Sequence, residues 1–484
     1  MTAESFRVVV LGAGMSGLCM GIKLRQQGIT DFVILEKASG VGGTWRENTY
    51  PGIACDVPSH VYSFSFELNP EWTHAFSGGA EIRAYCEHCV DKYGLAPHLR
   101  FDAEVTDAEF RNDRWWVTTR DGRQIVGDML VSGLGGLHVP NRVDLTGMNT
   151  FEGCAFHTAE WNHAHDLSGR RVAMIGTGAS AAQVLPNIAR DVASVTVFQR
   201  SAAWVFPRMA QDIPERRRAL YRRWPLVMRA YRVWLWLLMD VVGVLSLRRG
   251  SWFNRRIEKV ALDFLERSVN DPATRAKLTP SYAAGCKRRC IADDYLETYN
   301  RDNVHLVTDG IARVEANGIR DTTGRLHEVD TVIEATGFRP FDITEYVNIR
   351  GRDGRELRDA FAARVESFRS VMVPGFPNFF LLLGPNSATG HTSALIMIES
   401  QANYVLSCLR LMEREGVAHL DPRVDATERF NRRIQRDMRK MVFSGGCGAW
   451  YTDRHDVNFT LWPYSALRFL AELRRPRREE LEAV

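Results

Sequence analysis

The stretch Val8-Val-Val-Leu11-Gly12-Ala-Gly14-Met-Ser16-Gly17 places four apolar residues directly before a glycine-rich loop. Such an apolar run, bounded by a loop, is typical of a buried parallel strand. The residues that follow predict a helix over Leu18–Gln27 and a second strand over Phe32–Glu36. Gly12 permits a tight turn, Gly14 lets the backbone approach a pyrophosphate, and Gly17 allows the helix to pack closely on the strand. The stretch therefore predicts a strand–helix–strand unit that binds a dinucleotide at the helix N-terminus.

The residue at the end of the second predicted strand indicates which nucleotide this unit binds. Glu36 stands 19 residues after Gly17, where a carboxylate accepts hydrogen bonds from ribose hydroxyls. A carboxylate repels a 2′-phosphate, which argues against NADP at this site. The first unit is therefore predicted to bind FAD or NAD.

A second loop of the same kind begins at Gly176. It reads Gly176-Thr177-Gly178-Ala179-Ser180-Ala181, and the alanine in place of the third glycine is a permitted choice. The pattern predicts a strand over Arg171–Ile175 before the loop, then a helix over 182–189 and a strand over Ser194–Phe198. That strand ends in Gln199-Arg200-Ser201, and an arginine pairs with a 2′-phosphate. The second unit is therefore predicted to bind NADPH.

The composition sets the broad class of the protein. A chain of 484 residues has room for two or three domains, and a net charge of +4 with 25% charged residues gives no argument for nucleic-acid binding. The first strand begins so near Met1 that no removable signal peptide is expected. Nine cysteines in this length indicate reduced thiols in a cytoplasmic protein. Cys86 and Cys89 lack a second ligand pair at zinc spacing, so we interpret them as packing residues and predict no metal site.

The stretch Val233–Leu247 is the one candidate for contact with a membrane. It is strongly apolar but only 15 residues long, contains Asp240, and is flanked by arginines. A helix that spans a membrane needs about 20 apolar residues. We predict a buried or lid-forming helix here, with a helix lying on a membrane surface as the alternative.

Between the two loops stands Phe151-Glu-Gly153-Cys-Ala-Phe-His157-Thr-Ala-Glu-Trp161-Asn162. Its pattern, F-x-G-x-x-x-H-x-x-x-W, resembles the signature of type I Baeyer–Villiger monooxygenases, which are class B flavoprotein monooxygenases of the flavin-containing monooxygenase superfamily. The two glycine-rich loops and Lys287-Arg288 resemble the same family, so the resemblance covers nearly the whole chain. It implies a conformational role for four residues of the signature: Phe151, Gly153, His157 and Trp161.

The resemblance also implies an activity. Members of the family use NADPH and dioxygen to insert an oxygen atom next to a ketone carbonyl, which gives an ester or lactone through a C4a-peroxyflavin. A related flavin monooxygenase that oxygenates nitrogen or sulfur is the main alternative. A disulfide reductase would require two reactive cysteines near Gly42–Asp56, where only Cys55 occurs. A cofactor-bound redox sensor would leave Arg200, Lys287 and Arg288 unexplained.

Arg288 and Asp56 are the catalytic residues that the resemblance implies. An anionic peroxide needs a fixed cation beside it, and arginine keeps its charge where lysine can lose a proton. Asp56 lies in an apolar loop, where a carboxylate needs a partner. We expect it to orient and partly neutralise Arg288. Arg289 stands where the family often has proline or an apolar residue, so a shift of one residue in the alignment stays open.

The predicted cofactor-binding residues combine the two loops with positions matched to the family. Those expected on the FAD side are Gly12, Gly14, Ser16, Gly17, Glu36, Gly43, Thr44, Trp45, Asp56, Tyr62, Val105 and Ala394. Those expected on the NADP side are Gly176, Thr177, Gly178, Ala179, Ser180, Ala181, Arg200, Ser201, Lys287, Arg288 and Trp450. A catalytic role for His391 would require a partner elsewhere in the chain.

The predicted fold is α/β, with two Rossmann-like dinucleotide-binding domains, for FAD and for NADP, and a helical insertion. The expected ranges are 1–140 and 373–484 for the FAD domain, 141–165 for the linker with the signature, 166–205 and 281–372 for the NADP domain, and 206–280 for the insertion. The expected partners are a small-molecule ketone and dioxygen, while the identity of the ketone and the oligomeric state stay open.

Overall fold

The computed structural model describes residues 3–209, 211–339, 343–453, 455 and 457–483. Its strands are β1 (Glu4–Leu11), β2 (Phe32–Leu35), β3 (Leu99–Arg100), β4 (Val105–Arg111), β5 (Arg114–Thr119), β6 (Gln124–Ser132), β7 (Cys154–His157), β8 (Arg171–Ile175), β9 (Ser194–Phe198), β10 (Val205–Phe206), β11 (Cys290–Ile291), β12 (Val304–Val307), β13 (Ile311–Glu315), β14 (Gly318–Asp321), β15 (Leu326–Glu328), β16 (Thr331–Glu334), β17 (Asn348–Arg350), β18 (Phe379–Leu381), β19 (Leu420–Pro422) and β20 (Leu481–Ala483).

The helices cover the two faces of the main sheets and form the insertion. They are α1 (Met15–Gln26), α2 (Thr44–Glu47), α3 (Gly79–Tyr93), α4 (Ala179–Ile188), α5 (Glu215–Arg223), α6 (Pro225–Ser246), α7 (Trp252–Ser268), α8 (Pro272–Lys277), α9 (Tyr295–Thr298), α10 (Ile343–Tyr346), α11 (Leu357–Ala363), α12 (Ala394–Glu415), α13 (Val424–Met438) and α14 (Ala466–Glu472).

The first large sheet holds the first glycine-rich loop. Its strand order is β17-β4-β5-β6-β1-β2-β3, and β18 also pairs with β6. The strands β3, β2, β1, β6 and β18 run parallel, whereas β5 is antiparallel to both of its neighbours, β4 and β6. Val8, Val9, Val10 and Leu11 are fully buried. Both faces of β1 are therefore covered, as its unbroken apolar run predicts.

The second large sheet holds the second glycine-rich loop and is entirely parallel. Its order is β12-β9-β8-β16-β7. The signature enters this sheet, because β7 pairs with β16 at its edge. The strand β17, which lies within the range 281–372 expected for the NADP domain, pairs instead with β4 of the first sheet.

The insertion is helical and consists of α5 to α8. For Val233–Leu247 the sequence predicts a buried or lid-forming helix, and the buried form of that prediction is wrong. Leu238 is 45% exposed, Val241 56% and Trp234 56%. The physical reason is that α6 turns its polar residues inward, with Arg232 and Asp240 almost completely buried. Among the described residues, no helix is long and apolar enough to cross a membrane.

The cysteines correct a second expectation. Cys286 and Cys447 form a disulfide, with their Cα atoms 6.3 Å apart, so this pair is not reduced. The two residues are 161 positions apart, and no local pattern reveals that they meet. Cys86 and Cys89 are free and buried on α3, where they pack in the core of the first sheet.

Candidate active site

The backbone of the first glycine-rich loop packs so closely that a side chain at some of its glycine positions would not fit. Gly12 adopts a φ of +91°, and a Cβ on Gly17 would lie 1.8 Å from the carbonyl oxygen of Gly12. Among the described residues no side chain caps the N-terminus of α1, and its first turn contains no acid. The first amides of this helix, including that of Ser16, are therefore available to an anion such as a pyrophosphate.

Glu36 lies where its predicted role requires it, directly after β2 and beneath the loop. Its Oε2 accepts a hydrogen bond from the amide of Ala13 at 2.7 Å, and its Oε1 accepts one from the amide of Ala38 at 2.9 Å. The residue is only 7% exposed. These bonds fix the carboxylate while leaving lone pairs that can accept hydrogen bonds from hydroxyl groups.

The residues matched to a flavin site surround this loop. A Cβ on Gly43 would lie 3.0 Å from the Cα of Gly14, so the two glycine backbones meet closely. Trp45 Nε1 donates to the hydroxyl of Tyr62 at 3.0 Å, and burial raises the pKa of Tyr62. Thr44 Oγ1 donates to the carbonyl of Leu137 at 3.4 Å.

Two residues expected on the FAD side lie in regular elements. Val105 is the first residue of β4 and is buried in the core of the first sheet. Ala394 is the first residue of α12, whose N-terminus is capped by the hydroxyl of Ser393. Both are hydrophobic, so any contribution to a cofactor site would come from packing or from backbone groups.

The second loop repeats the geometry of the first. Gly176 has a φ of +113°, and a Cβ there would lie 2.4 Å from the carbonyl oxygen of Ala335. A Cβ on Gly178 would meet nothing within 4 Å, so the loop is open on its outer side. The helix α4 begins with Ala179, Ser180 and Ala181, and within the described chain its N-terminus has no side-chain cap and no acid in its first turn. A second anion site therefore stands at this helix N-terminus.

Basic residues gather at the end of β9, next to this loop. Lys287 Nζ donates to Ser201 Oγ at 2.8 Å, and Thr177 Oγ1 donates to the carbonyl of Ser201 at 2.9 Å. Burial and the charge of Arg200 lower the pKa of Lys287. In the part of the chain that the structure describes, neither Arg200 nor Lys287 forms an ion pair with a carboxylate. The cluster is therefore an unneutralised cationic site that fits a phosphate.

Arg288 and Asp56 form an ion pair that joins the two halves of the site. Arg288 Nε and Nη2 donate to Asp56 Oδ2 at 2.9 and 2.5 Å. The side chains are 39% and 21% exposed, respectively, so both keep a face toward open space. The Asp56 carboxylate raises the pKa of the Arg288 guanidinium above its usual range. Arg288 is thus a permanent cation in a fixed orientation.

The neighbouring Arg289 points elsewhere. Its Nη1 and Nη2 donate to Ser246 Oγ on α6, both at 3.2 Å. Burial lowers the pKa of Arg289 to about 10. In the structure it is therefore Arg288, not Arg289, that contacts Asp56, as the alignment with Lys287-Arg288 requires.

The loops around Asp56 also contact the second unit directly. Tyr50 OH donates to Gln183 Oε1 at 2.9 Å, and Gln183 Nε2 donates to the carbonyl of Ala54 at 2.8 Å. Gln183 lies on α4, the helix that starts at the second glycine-rich loop. The loop that carries Asp56 is therefore in direct contact with the helix that starts at the second glycine-rich loop.

Tyr451 is a site residue that sequence reasoning missed. It is only 2% exposed, and burial raises its pKa while the neighbouring Arg288 acts against that rise. The ring of the predicted Trp450 lies against it, with centroids 4.3 Å apart. The Cys286–Cys447 disulfide ties this C-terminal segment to the segment that carries Lys287 and Arg288. The only signal for Tyr451 in the sequence was its place directly after the predicted Trp450, in the run Gly-Ala-Trp-Tyr.

The signature packs as part of the second sheet. A Cβ on Gly153 would lie 2.3 Å from the carbonyl of Asp330 and 2.5 Å from the ring of Phe151, so only glycine fits there. Trp161 meets Phe156 edge to face at 5.2 Å. His157 is fully buried, its Nδ1 accepts from the amide of Ala159 at 3.0 Å, and burial lowers its pKa. These contacts anchor the segment between the two loops.

His391 has the partner that the sequence leaves open. Its Nε2 lies 2.9 Å from Asp240 Oδ1 of α6, and the two side chains are 2% and 1% exposed. Asp240 also accepts from the amide of Ala466 at 2.7 Å. The pair is enclosed by α6, by α14 and by the loop that precedes α12. This position indicates a structural role for His391.

Comparison with known proteins places the chain in a family. A family of pyridine nucleotide-disulphide oxidoreductases matches residues 9–215. All five cysteines within that range are free, so the matched part holds no redox disulfide.

The most similar proteins include a Baeyer-Villiger monooxygenase of Streptomyces coelicolor, which is 42% identical over 476 residues, or 98% of this chain and 91% of that protein. Among solved structures, the closed form of cyclohexanone monooxygenase superposes with a TM-score of 0.88 at 27% identity, covering 100% of both chains. The OTEMO complex with FAD and NADP superposes with a TM-score of 0.87 at 25% identity, covering 98% of both chains. The chain belongs to the Baeyer–Villiger monooxygenase family.

Proposed function

We propose that this protein is an FAD-dependent monooxygenase that uses NADPH and dioxygen to insert an oxygen atom next to a ketone carbonyl, giving an ester or lactone. The observation that carries the proposal is the Arg288–Asp56 ion pair, which links a loop of the first unit to the segment that reaches Ser201 of the second unit through Lys287. A fixed cation at the meeting point of two dinucleotide sites suits a reaction in which negative charge develops between them.

The residues present fit the two cofactors. The first loop has open helix amides and the buried carboxylate of Glu36, which suit a nucleotide with free ribose hydroxyls, namely FAD. The second loop has open amides with Arg200, Ser201 and Lys287 beside it, which suit the 2′-phosphate of NADPH. When bound, FAD supplies electron transfer from NADPH and the activation of dioxygen.

Arg288 supplies the electrostatic part of the chemistry. Attack on a ketone carbonyl places negative charge on the carbonyl oxygen, and a pre-oriented guanidinium stabilises that charge without reorganisation. Arginine suits this role better than lysine, because burial and nearby cations lower the pKa of a lysine, as they do for Lys287.

Asp56 positions the guanidinium. Two hydrogen bonds from Arg288 end on one carboxylate oxygen, Oδ2, and Nη1 of the guanidinium takes no part in this contact. The negative charge of Asp56 also offsets the positive charge of Arg288 before the reaction brings a negative charge into the site. The pair therefore holds Arg288 in place at a lower electrostatic cost than a lone buried cation.

The relatives support the choice of a ketone. One of them carries the name cyclohexanone monooxygenase, and its structure superposes over the whole of this chain. A soluble small-molecule ketone is therefore the substrate class that we assign, with dioxygen as the second substrate.

The proposal is tested with the purified protein. We expect a yellow protein whose NADPH oxidation is stimulated by a panel of linear, cyclic and aromatic ketones, with an ester or lactone found by mass spectrometry. The control panel contains amines and sulfides of matching size. Stimulation by the amines or sulfides, with no ester from any ketone, would show instead a nitrogen- or sulfur-oxygenating enzyme.

A further inference from the structure

The long helix α6 faces the protein with polar as well as apolar residues. Arg232, Asp240 and Ser246 are 5%, 1% and 0% exposed, and Met228 is also buried, at 2%. Arg232 Nη2 donates to the carbonyl of Ser63 at 3.1 Å, and Ser246 Oγ accepts from Arg289. The side of α6 that faces the protein therefore already makes polar and apolar contacts with it.

The outer side of α6 is apolar and exposed. Leu226 is 79% exposed, Trp234 56% and Val241 56%. The exposed apolar residues recur at intervals of three and four from Val233 to Leu245, and two more stand seven residues before Val233 and Trp234. Together they define one stripe: Leu226, Val227, Val233, Trp234, Leu237, Leu238, Val241 and Leu245. At 1.5 Å per residue, the helix of 22 residues is about 33 Å long. An apolar stripe of this length on a protein surface marks an interaction site.

Arginines flank the stripe at both ends of α6, and among the described residues only one of them is paired with carboxylates. Exposed arginines precede α6, follow it and begin α7: Arg222, Arg223, Arg248, Arg249, Arg255 and Arg256. Residues 221–257 contain a single carboxylate, Asp240, which is buried. Except for Arg222, which pairs with Glu71 and Glu215, none of these six arginines forms an ion pair with a carboxylate in the described chain. The surface around the stripe is therefore strongly cationic.

Three exposed tryptophans belong to α6 or to the residues next to it in the chain. Trp224, Trp234 and Trp252 are 58%, 56% and 61% exposed. Exposed tryptophan is costly in water but favourable at the headgroup level of a bilayer, where its ring is partly apolar and its N–H finds a partner. Leucine, valine and tryptophan on one face, with arginine beside them, are the features of a helix that lies in the plane of a membrane interface.

We propose that α6 docks on an anionic phospholipid surface, with its stripe inserted at the headgroup boundary and the arginines at its ends on lipid phosphates. A second copy of the chain fits less well. In a two-fold symmetric dimer the same patch meets itself, so the unpaired arginines would face one another without carboxylates to offset them. The inference is independent of the proposed reaction.

The test is flotation of the whole protein with vesicles of phosphatidylcholine alone or mixed with phosphatidylglycerol. We expect binding to the mixed vesicles and much weaker binding to phosphatidylcholine alone. The triple variant Leu226→Ser, Trp234→Ser, Leu238→Ser should bind the mixed vesicles at least about tenfold more weakly, because it removes inserted apolar surface. The variant Arg248→Gln, Arg249→Gln should lose roughly fivefold for each arginine on the mixed vesicles.

A matched control replaces exposed apolar residues elsewhere. Val424 and Phe101 are 59% and 37% exposed on other surfaces, so Val424→Ser with Phe101→Ser should bind like the wild type. Circular dichroism and NADPH oxidation with a ketone in vesicle-free buffer should be unchanged in the triple variant, which shows that it is folded.

Two outcomes would overturn the inference. One is equal flotation of the wild type and the triple variant. The other is a wild-type protein that ignores both kinds of vesicle but is dimeric by light scattering, with the triple variant monomeric. That second result would assign the stripe to a protein interface.

Discussion

Two side chains at the ends of equivalent strands, Glu36 and Arg200, carry opposite charges. Glu36 directly follows β2, and Arg200 stands two residues after the end of β9. The backbone geometry of the two glycine-rich loops is otherwise the same, with Gly12 and Gly176 both at positive φ. The difference in cofactor preference that we propose therefore rests on one residue in each unit.

The role of Arg200 leads to a prediction about cofactor choice. Replacing Arg200 with alanine removes a charge-assisted contact to a 2′-phosphate, worth about 1.5–3 kcal/mol or roughly tenfold to a hundredfold in affinity. We expect the affinity for NADPH to fall by that factor, while the affinity for NADH, which lacks the phosphate, hardly changes. Steady-state kinetics with both nucleotides measures the difference.

An arginine away from the site provides the control for this experiment. Arg170, in the turn before β8, is exposed. Its replacement with alanine should leave the affinities for NADPH and NADH unchanged. Equal losses for NADPH and NADH in Arg200→Ala would remove the assignment of the 2′-phosphate to Arg200.

At the residue scale, the sequence predicts those site residues whose positions follow from a local motif. Glu36, Arg200 and the loop glycines could be placed because each has a fixed offset from a recognisable strand. Tyr451 could not, because it reaches the Arg288–Asp56 pair from a segment more than 150 residues away in the sequence. The sequence likewise could not decide whether Arg288 or Arg289 is the arginine that pairs with Asp56. The contact of Arg288 with Asp56 in the structure decides it.

At the scale of elements, α6 shows where reading hydrophobic runs fails. The run Val233–Leu247 predicts burial if one assumes that apolar residues face the core. Asp240 and Arg232 reverse the orientation, because their buried partners lie on the protein side. The strands β8 and β9, by contrast, have the predicted bounds, because their apolar patterns fix them.

The Asp240–His391 contact leads to a prediction about stability. Burial raises the pKa of Asp240, but hydrogen bonds from His391 and the amides of Ala466 and Leu467 outweigh it, so the net pKa is below its ordinary value. Asp240→Asn should lower the free energy of unfolding by about 3 kcal/mol at neutral pH, because it leaves a buried network partly unsatisfied. Denaturation in urea measures the loss.

The pH dependence of this loss follows from the direction of the shift. A lowered pKa in the folded state contributes stability above the unfolded value of about 4, and that stability disappears as the pH falls through the folded value. The difference between wild type and Asp240→Asn should therefore shrink below about pH 4. Glu266→Gln is the control, since that side chain is 71% exposed. A difference that grows on acidification would contradict the assignment.

The Cys286–Cys447 disulfide ties two elements of the site together and gives another prediction. Titration of thiols in the denatured, unreduced protein should find seven, the number of free cysteines. Cys447→Ser should lower the free energy of unfolding by about 2–4 kcal/mol, because the crosslink restricts the unfolded chain. The control Cys154→Ser removes a free, half-buried thiol. Nine titratable thiols, or equal effects of the two substitutions, would show that the bond does not form.

At the scale of the whole molecule, the two sheets meet around one ion pair. Asp56 belongs to a loop of the first unit and Arg288 follows the insertion within the second, 232 residues apart. Each unit could be predicted from its own loop and strands. Their relative placement could not, because it depends on contacts such as Tyr50 with Gln183 that leave no periodic signal in the sequence.

The central claim is that the Arg288 guanidinium stabilises the charge that develops when a ketone is attacked. The most direct measurement compares, in wild type and Arg288→Ala, the reduction of the flavin by NADPH with the yield of ester labelled from heavy-isotope dioxygen. Our account predicts that Arg288→Ala is still reduced by NADPH but forms ester about a hundredfold to a thousandfold more slowly than the wild type. Labelled ester at the wild-type rate in Arg288→Ala would contradict it.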